Sequence, residues 1–130
     1  MTTVLVFRNG DGHYAVPVEH CREVRPAAEV TPLPTLEKDV VGVLRWHDRA
    51  LSVVAPLGPG GAHVIVLDTG AEPFALLVDA VVGIEHLDDG SVGDAPRGQR
   101  DALVSGTVTA RRRDLLFVVD AGAIERRLHR

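Results

Sequence analysis

The chain has one cysteine, one tryptophan, one tyrosine and three phenylalanines in 130 residues. Each scarcity closes off a class of protein. The lone Cys21 has no partner for an internal disulfide and no second thiol for a zinc knuckle. Aromatic residues at 4% leave too few rings for the stacking platforms that single-stranded nucleic acid needs. Lysine occurs once, at Lys38, and the net charge is −4, so no overall positive field draws phosphate backbones or anionic lipid. No apolar run approaches the roughly 20 residues of a membrane-spanning helix. Met1-Thr2-Thr3-Val4 lacks a basic leader and a signal-like apolar core. The expectations are a cytoplasmic protein with no direct membrane insertion and no nucleic-acid partner.

Catalytic constellations are equally thin. The six histidines, His13, His20, His47, His63, His86 and His129, show no metal-ligand spacing. Ser52, Ser91 and Ser105 sit in no nucleophile elbow. Gly58-Pro59-Gly60-Gly61 lacks the Lys-Ser/Thr of a phosphate loop and leads into a strand, so it reads as a linker. Asp11, Asp79 and Asp120 fall at turns or strand ends, and Arg111-Arg112-Arg113 reads as a solvated hairpin tip. No enzyme, cofactor or metal is expected.

What remains is aliphatic. Apolar residues make up 45% and charged residues 25%, a globular balance, and 130 residues suit one domain. Thr3 to Arg8, a turn at Asn9-Gly10-Asp11-Gly12 and His13 to Val18 read as a hairpin. Val24 to Leu36 carries Pro26, Pro32 and Pro34, which remove ladder donors, so it is expected at an edge or as an extended connection. A second hairpin runs from Val40 to Trp46, turns at His47-Asp48-Arg49 and returns from Ala50 to Val54. A third joins Val64 to Leu67 and Phe74 to Val78, followed by a strand from Ala80 to Ile84. Asp88 to Asp101 reads as a loop, and Leu103 to Ala110 pairs with Leu115 to Val119. Asp120 caps a short helix that ends at Leu128, although Gly122 weakens its first turn.

The chain is also self-similar. Gly10, Tyr14, Ala15, Val16, Val18, Glu19 and Val24 stand sixty positions before Gly70, Phe74, Ala75, Leu76, Val78, Asp79 and Ile84. At an offset of sixty-four, Gly42, Leu44, Leu51, Val53 and Val54 align with Gly106, Val108, Leu115, Phe117 and Val118. Two related β-subdomains within one domain, residues 1–130, are expected. Short strands between Gly and Pro turns close most readily into small barrels that share a core.

From about Val4 to Ile124 the chain resembles the CheW-like family of chemotaxis adaptors. Three segments carry the likeness: Cys21-Arg22-Glu23-Val24; Val41-Gly42-Val43-Leu44-Arg45-Trp46-His47-Asp48 with Ser52-Val53-Val54-Ala55; and Val64-Ile65-Val66-Leu67, Gly70 and Ala75 to Val81, continued from Gly106 to Asp120. The resemblance implies an all-β fold of two five-stranded, SH3-like barrels with a short C-terminal helix, and neither cofactor nor catalysis. It implies two partners, the regulatory domain of a CheA-type histidine kinase and the cytoplasmic tip of a methyl-accepting chemoreceptor. Carried over by position, the protein-binding groove would include Cys21, Glu23, Val24, Gly42, Val43, Leu44 and His47. The family usually has Arg-Gly where this chain has His47-Asp48, and a proline and an acid at Ser52 and Ala55. In the family that arginine looks like the partner of the glutamate, so a weaker, pH-sensitive Glu23–His47 pair is expected here. Alternatives are a diverged relative serving another phosphorelay, such as surface motility, a decoy regulator, or a small nucleic-acid-binding barrel.

Overall fold

The computed structural model describes residues 2–34, 39–58, 61–87, 104–109 and 115–128. Among these residues eleven strands and one α-helix follow in order: β1 (Thr2–Asn9), β2 (Gly12–Pro17), β3 (Cys21–Pro26), β4 (Thr31–Pro32), β5 (Val40–Trp46), β6 (Arg49–Val54), β7 (His63–Leu67), β8 (Phe74–Val78), β9 (Ala80–Leu87), β10 (Val104–Thr109), β11 (Leu115–Val119) and α1 (Ala121–Leu128). The expected loop from Asp88 to Asp101 and the Arg111 to Asp114 tip lie outside the described residues.

The strands form two sheets, β10-β11-β2-β1-β9 and β3-β7-β8-β6-β5-β4. β1 and β2 are antiparallel around a two-residue turn whose first position, Gly10, has φ 60°. Glycine takes that left-handed conformation without the Cβ penalty of other residues. β11 then runs parallel to β2, and β6 runs parallel to β8. Neither sheet is built from one half of the chain: the first hairpin pairs with the late strand β9, whereas β7 and β8 pair with the early strands β3 and β6. Shifted by about sixty residues, the first sheet order becomes β5-β6-β8-β7-β3, which is the second sheet read backwards without β4.

That extra strand explains the count of six. The segment Cys21 to Leu33 pairs with β7 first, continues through the bond from Ala27 N–H to Ala62 O (2.9 Å), and then pairs Thr31 with Val43 and Pro32 with Gly42 on β5. One bent stretch of chain therefore touches both ends of the sheet and closes it, making five strands of a small barrel out of six named pieces. Its two prolines, Pro26 and Pro32, tolerate this because it lies on the outer edges, where a missing donor leaves no ladder bond unmade.

Alternation along the strands sorts the side chains into three cores. Val4 and Val6 face Ala15, Leu87 and Leu116 within the first sheet, and Val64 and Val66 face Leu44, Leu51, Val53 and Ala75 within the second. The intervening Leu5, Phe7, Val16, Ile65, Leu67, Phe74, Leu76 and Val78 meet between the sheets with Val119. Both faces of β1 and β7 are thus buried, which is why Val-Leu-Val-Phe and Val-Ile-Val-Leu are unbroken apolar runs. Fully burying each large side chain in this shared core contributes about 1.5–3 kcal/mol. Helix α1 closes one side of it with Ala121, Ala123, Ile124 and, partly buried, Leu128. Its first turn is held by Asp120, whose Oδ1 accepts from Ala123 N–H at 3.0 Å.

Candidate functional site

The family-derived site residues fall on two strands of the second sheet. Cys21, Glu23 and Val24 are on β3; Gly42, Val43 and Leu44 are on β5; His47 begins the β5–β6 turn. In the linear strand order β3 and β5 are far apart, and barrel closure brings them together. Their roles then separate by depth. Leu44 is 1% exposed and packs with Leu51, Val53 and Val66 in the barrel's own core, so its side chain offers no contact surface. Gly42 is buried beneath the bent segment: a Cβ there would collide with the carbonyl oxygen of Thr31 and lie 3.0 Å from the side chain of Val30. Cys21 is half-buried against the core shared by the sheets, and its Sγ is 3.6 Å from Pro17 O. Burial raises its thiol to about 11, against a smaller lowering by Arg22, so at neutral pH it is a protonated filler.

Val24 is 42% exposed and Glu23 is also exposed, while Val43 is half-buried. The Glu23 carboxylate accepts a hydrogen bond from Trp46 Nε1 at 2.9 Å and another from Arg25 at 3.5 Å. Arg25 in turn ion-pairs with Glu29, four residues on. That pairing lowers the Glu29 carboxyl and raises the Arg25 guanidinium. The expected Glu23–His47 pair is replaced by this arrangement. His47 sits at φ 55° in the turn, its ring centroid 4.7 Å from that of Trp46. Trp46, at an inward-facing strand position, caps the barrel core and places its N–H at the rim, and Glu23 arrives there on the closing segment. Sequence alone does not set Trp46 among the site residues. The signal for it is the residue type, because a half-buried indole requires an acceptor for its single N–H.

A second apolar edge lies on β9, where Val82 and Ile84 are 55% and 59% exposed. β9 ends the first sheet as β3 begins the second, and the sixty-residue correspondence that pairs Val24 with Ile84 is the signal that finds it. A shallow depression of about 280 Å³ opens beside Thr2, Thr3, Pro17, Val18 and Glu19. Among the described residues no group of three or more His, Cys, Asp or Glu side chains gathers as metal ligands, and no helix is long and apolar enough to cross a membrane.

Comparison with known proteins bears on the family and the fold. The family described as the CheW-like domain matches residues 3–128, from β1 to the end of α1. The curated "Chemotaxis protein CheW" of Rhizobium meliloti (strain 1021) is 31% identical over 102 residues, which is 72% of this chain and 66% of the relative. The chain thus spans just under two thirds of that relative's length. The crystal structure of the scaffolding protein TtCheW from Thermoanaerobacter tengcongensis superposes with a TM-score of 0.80 over 92% of this chain and 88% of that one, at 17% identity, a likeness of fold. With the family match running through nearly every described strand, the chain belongs to the CheW-like domain family.

Proposed function

We propose that this protein is a non-enzymatic coupling adaptor that joins the cytoplasmic tip of a methyl-accepting chemoreceptor to the regulatory domain of a CheA-type histidine kinase, and that it works in the cytoplasm. The observation that carries this reading is the family match over residues 3–128. The closed barrel adds a rigid platform on which Glu23, Val24, Val43 and His47 present a mixed apolar and charged face. Gly42, Leu44 and Cys21 shape that face from below. In the same reading residues 1–130 are one domain made from a duplicated unit whose hairpins have exchanged sheets, so that β3 and β9 are equivalent edges. Two edges let one molecule bridge two partners, and repetition in an array turns modest contacts into strong ones.

The test is a titration of the protein into the regulatory domain of its own organism's chemotaxis-type kinase. Trp46, the single tryptophan, provides an intrinsic fluorescence signal beside the candidate face. Saturable binding that Val24→Asp weakens, with the melting temperature unchanged, supports the adaptor reading. Absence of binding at tens of micromolar, about −6 kcal/mol, overturns it.

A further inference from the structure

The tip of the first hairpin contains the dipeptide Asn9-Gly10, in which the amide nitrogen that follows the asparagine carries no neighbouring Cβ. Such a nitrogen, once deprotonated, can attack the Asn9 side-chain carbon Cγ. The bond from Cγ to Nδ2 breaks, ammonia leaves, and a five-membered succinimide forms; water then opens either ring carbonyl to give aspartate or an isoaspartyl linkage. We propose that Asn9–Gly10 is a self-modification site of this kind, held shut in the folded protein by Asp79 and by the carbonyl of Leu57.

Both reacting groups are tied down. Gly10 N–H donates to Asp79 Oδ2 at 2.7 Å, and loss of its proton would set an amide anion against a carboxylate. Asp79 is itself fixed, its own N–H donating to Arg8 O at 3.0 Å and its carboxylate lying 3.6 Å from the Arg8 guanidinium. Asn9 is 4% exposed, an unusual depth for a turn-flanking amide, and its Nδ2 donates to Leu57 O at 2.9 Å. Its Oδ1 is buried with no hydrogen-bond partner among the described residues. The side chain is thus held through its nitrogen alone, the atom that the reaction expels.

The product would be poorly housed. An aspartate at position 9 has no side-chain N–H for Leu57 O and places a carboxylate against that carbonyl, where the described residues offer no donor to receive it. Reaction would therefore uncouple the hairpin tip from the Leu57-Gly58 segment that follows β6. The gate is local opening of the turn, which exposes Asn9 and frees Gly10 N–H together.

The experiment follows ammonia loss at position 9 by peptide mass spectrometry on the full chain kept folded at mildly alkaline pH, with the free peptide spanning residues 6–13 as the unstructured reference. The folded chain is expected to react at least about tenfold more slowly than the peptide. Asp79→Ala is expected to raise its rate by about tenfold, the scale of one charge-assisted hydrogen bond. Leu51→Ala, which weakens the distant barrel core, provides the control for global unfolding and should leave the rate near that of the parent. Asn9→Asp should lower the melting temperature. The proposal is overturned if the folded chain reacts as fast as the peptide, or if Asp79→Ala accelerates the reaction no more than Leu51→Ala does.

Discussion

Replacing Gly42 by alanine separates a contact role from a structural one. Gly42 pairs with Pro32 across the seam where the bent segment closes the barrel, and its φ lies outside the left-handed region. Alanine thus carries no backbone penalty, and space alone decides the result. The added methyl would meet the Thr31 carbonyl oxygen and lie 3.0 Å from Val30 Cγ1 and 3.1 Å from the Thr31 carbonyl carbon. Two of these three neighbours are backbone atoms, which yield only if the segment lifts. Overpacking of this kind costs roughly 1–3 kcal/mol, against about 0.4–1 kcal/mol returned by the stiffer unfolded chain. A net loss of about 1–2 kcal/mol is expected, or roughly 3–8 °C in melting temperature for a chain of this length. Because the strain falls on an edge pairing only two residues long, the damage should be local. Amide exchange should show lost protection at Leu33, whose N–H reaches Val41 O at 3.4 Å, while the β7–β8 amides remain protected. Urea titration gives the total and exchange gives its location. A neutral or stabilising Gly42→Ala with Leu33 still protected would refute the closed seam and return Gly42 to the list of contact residues.

Other substitutions probe the same face at different depths. Leu44→Ala, in a fully buried site, should cost about 2–5 kcal/mol in a denaturant melt, and at temperatures where the variant stays folded it should bind partners like the parent. Trp46→Phe keeps the ring in the barrel mouth but removes the donor to Glu23; with Glu23 exposed, the loss in stability should stay near 0.5–1 kcal/mol, and Glu23→Gln in the same background should cost little more, as a double-mutant cycle would show. For Cys21 the folded state favours the neutral thiol, since its pKa is raised from 9.0 to about 11. The stability this contributes is present below pH 9 and is lost as pH rises towards 11, and alkylation of the folded protein near neutrality should be slower than that of a free thiol.

Much of this architecture was legible from residue order alone, for definite reasons. Sheets covered on both faces write themselves as unbroken apolar runs, so β1, β7 and β8 stand out, and the glycine turns between them mark the hairpins. The prolines at positions 26, 32 and 34 point to an edge segment, which is where Cys21 to Leu33 lies. Exchange of strands between the two halves leaves no local trace. The pairing of β1 with β9 and of β3 with β7 joins residues far apart in sequence, and either half could satisfy its alternation with its own strands. Hence the offset of sixty is silent on which sheet each matching segment joins.

The same limit explains the misassigned partner of Glu23. By sequence, the resemblance sets His47 at a position where an arginine is expected, and so points to the imidazole as the partner of Glu23. In the fold His47 has left the strand: it takes the first turn position at φ 55°, and the alternation that directs Gly42, Leu44 and Trp46 inward stops one residue before it. Trp46 is the last inward position at the barrel mouth, with its ring partly buried over the core and its N–H at the rim. Closure of the seam then delivers Glu23 to that N–H at 2.9 Å. The donor to Glu23 thus comes from the residue before His47, from a group that carries no charge and does not titrate. Glu23 thereby keeps its anchor while its negative charge is offset only in part, by Arg25 at 3.5 Å, which is itself shared with Glu29.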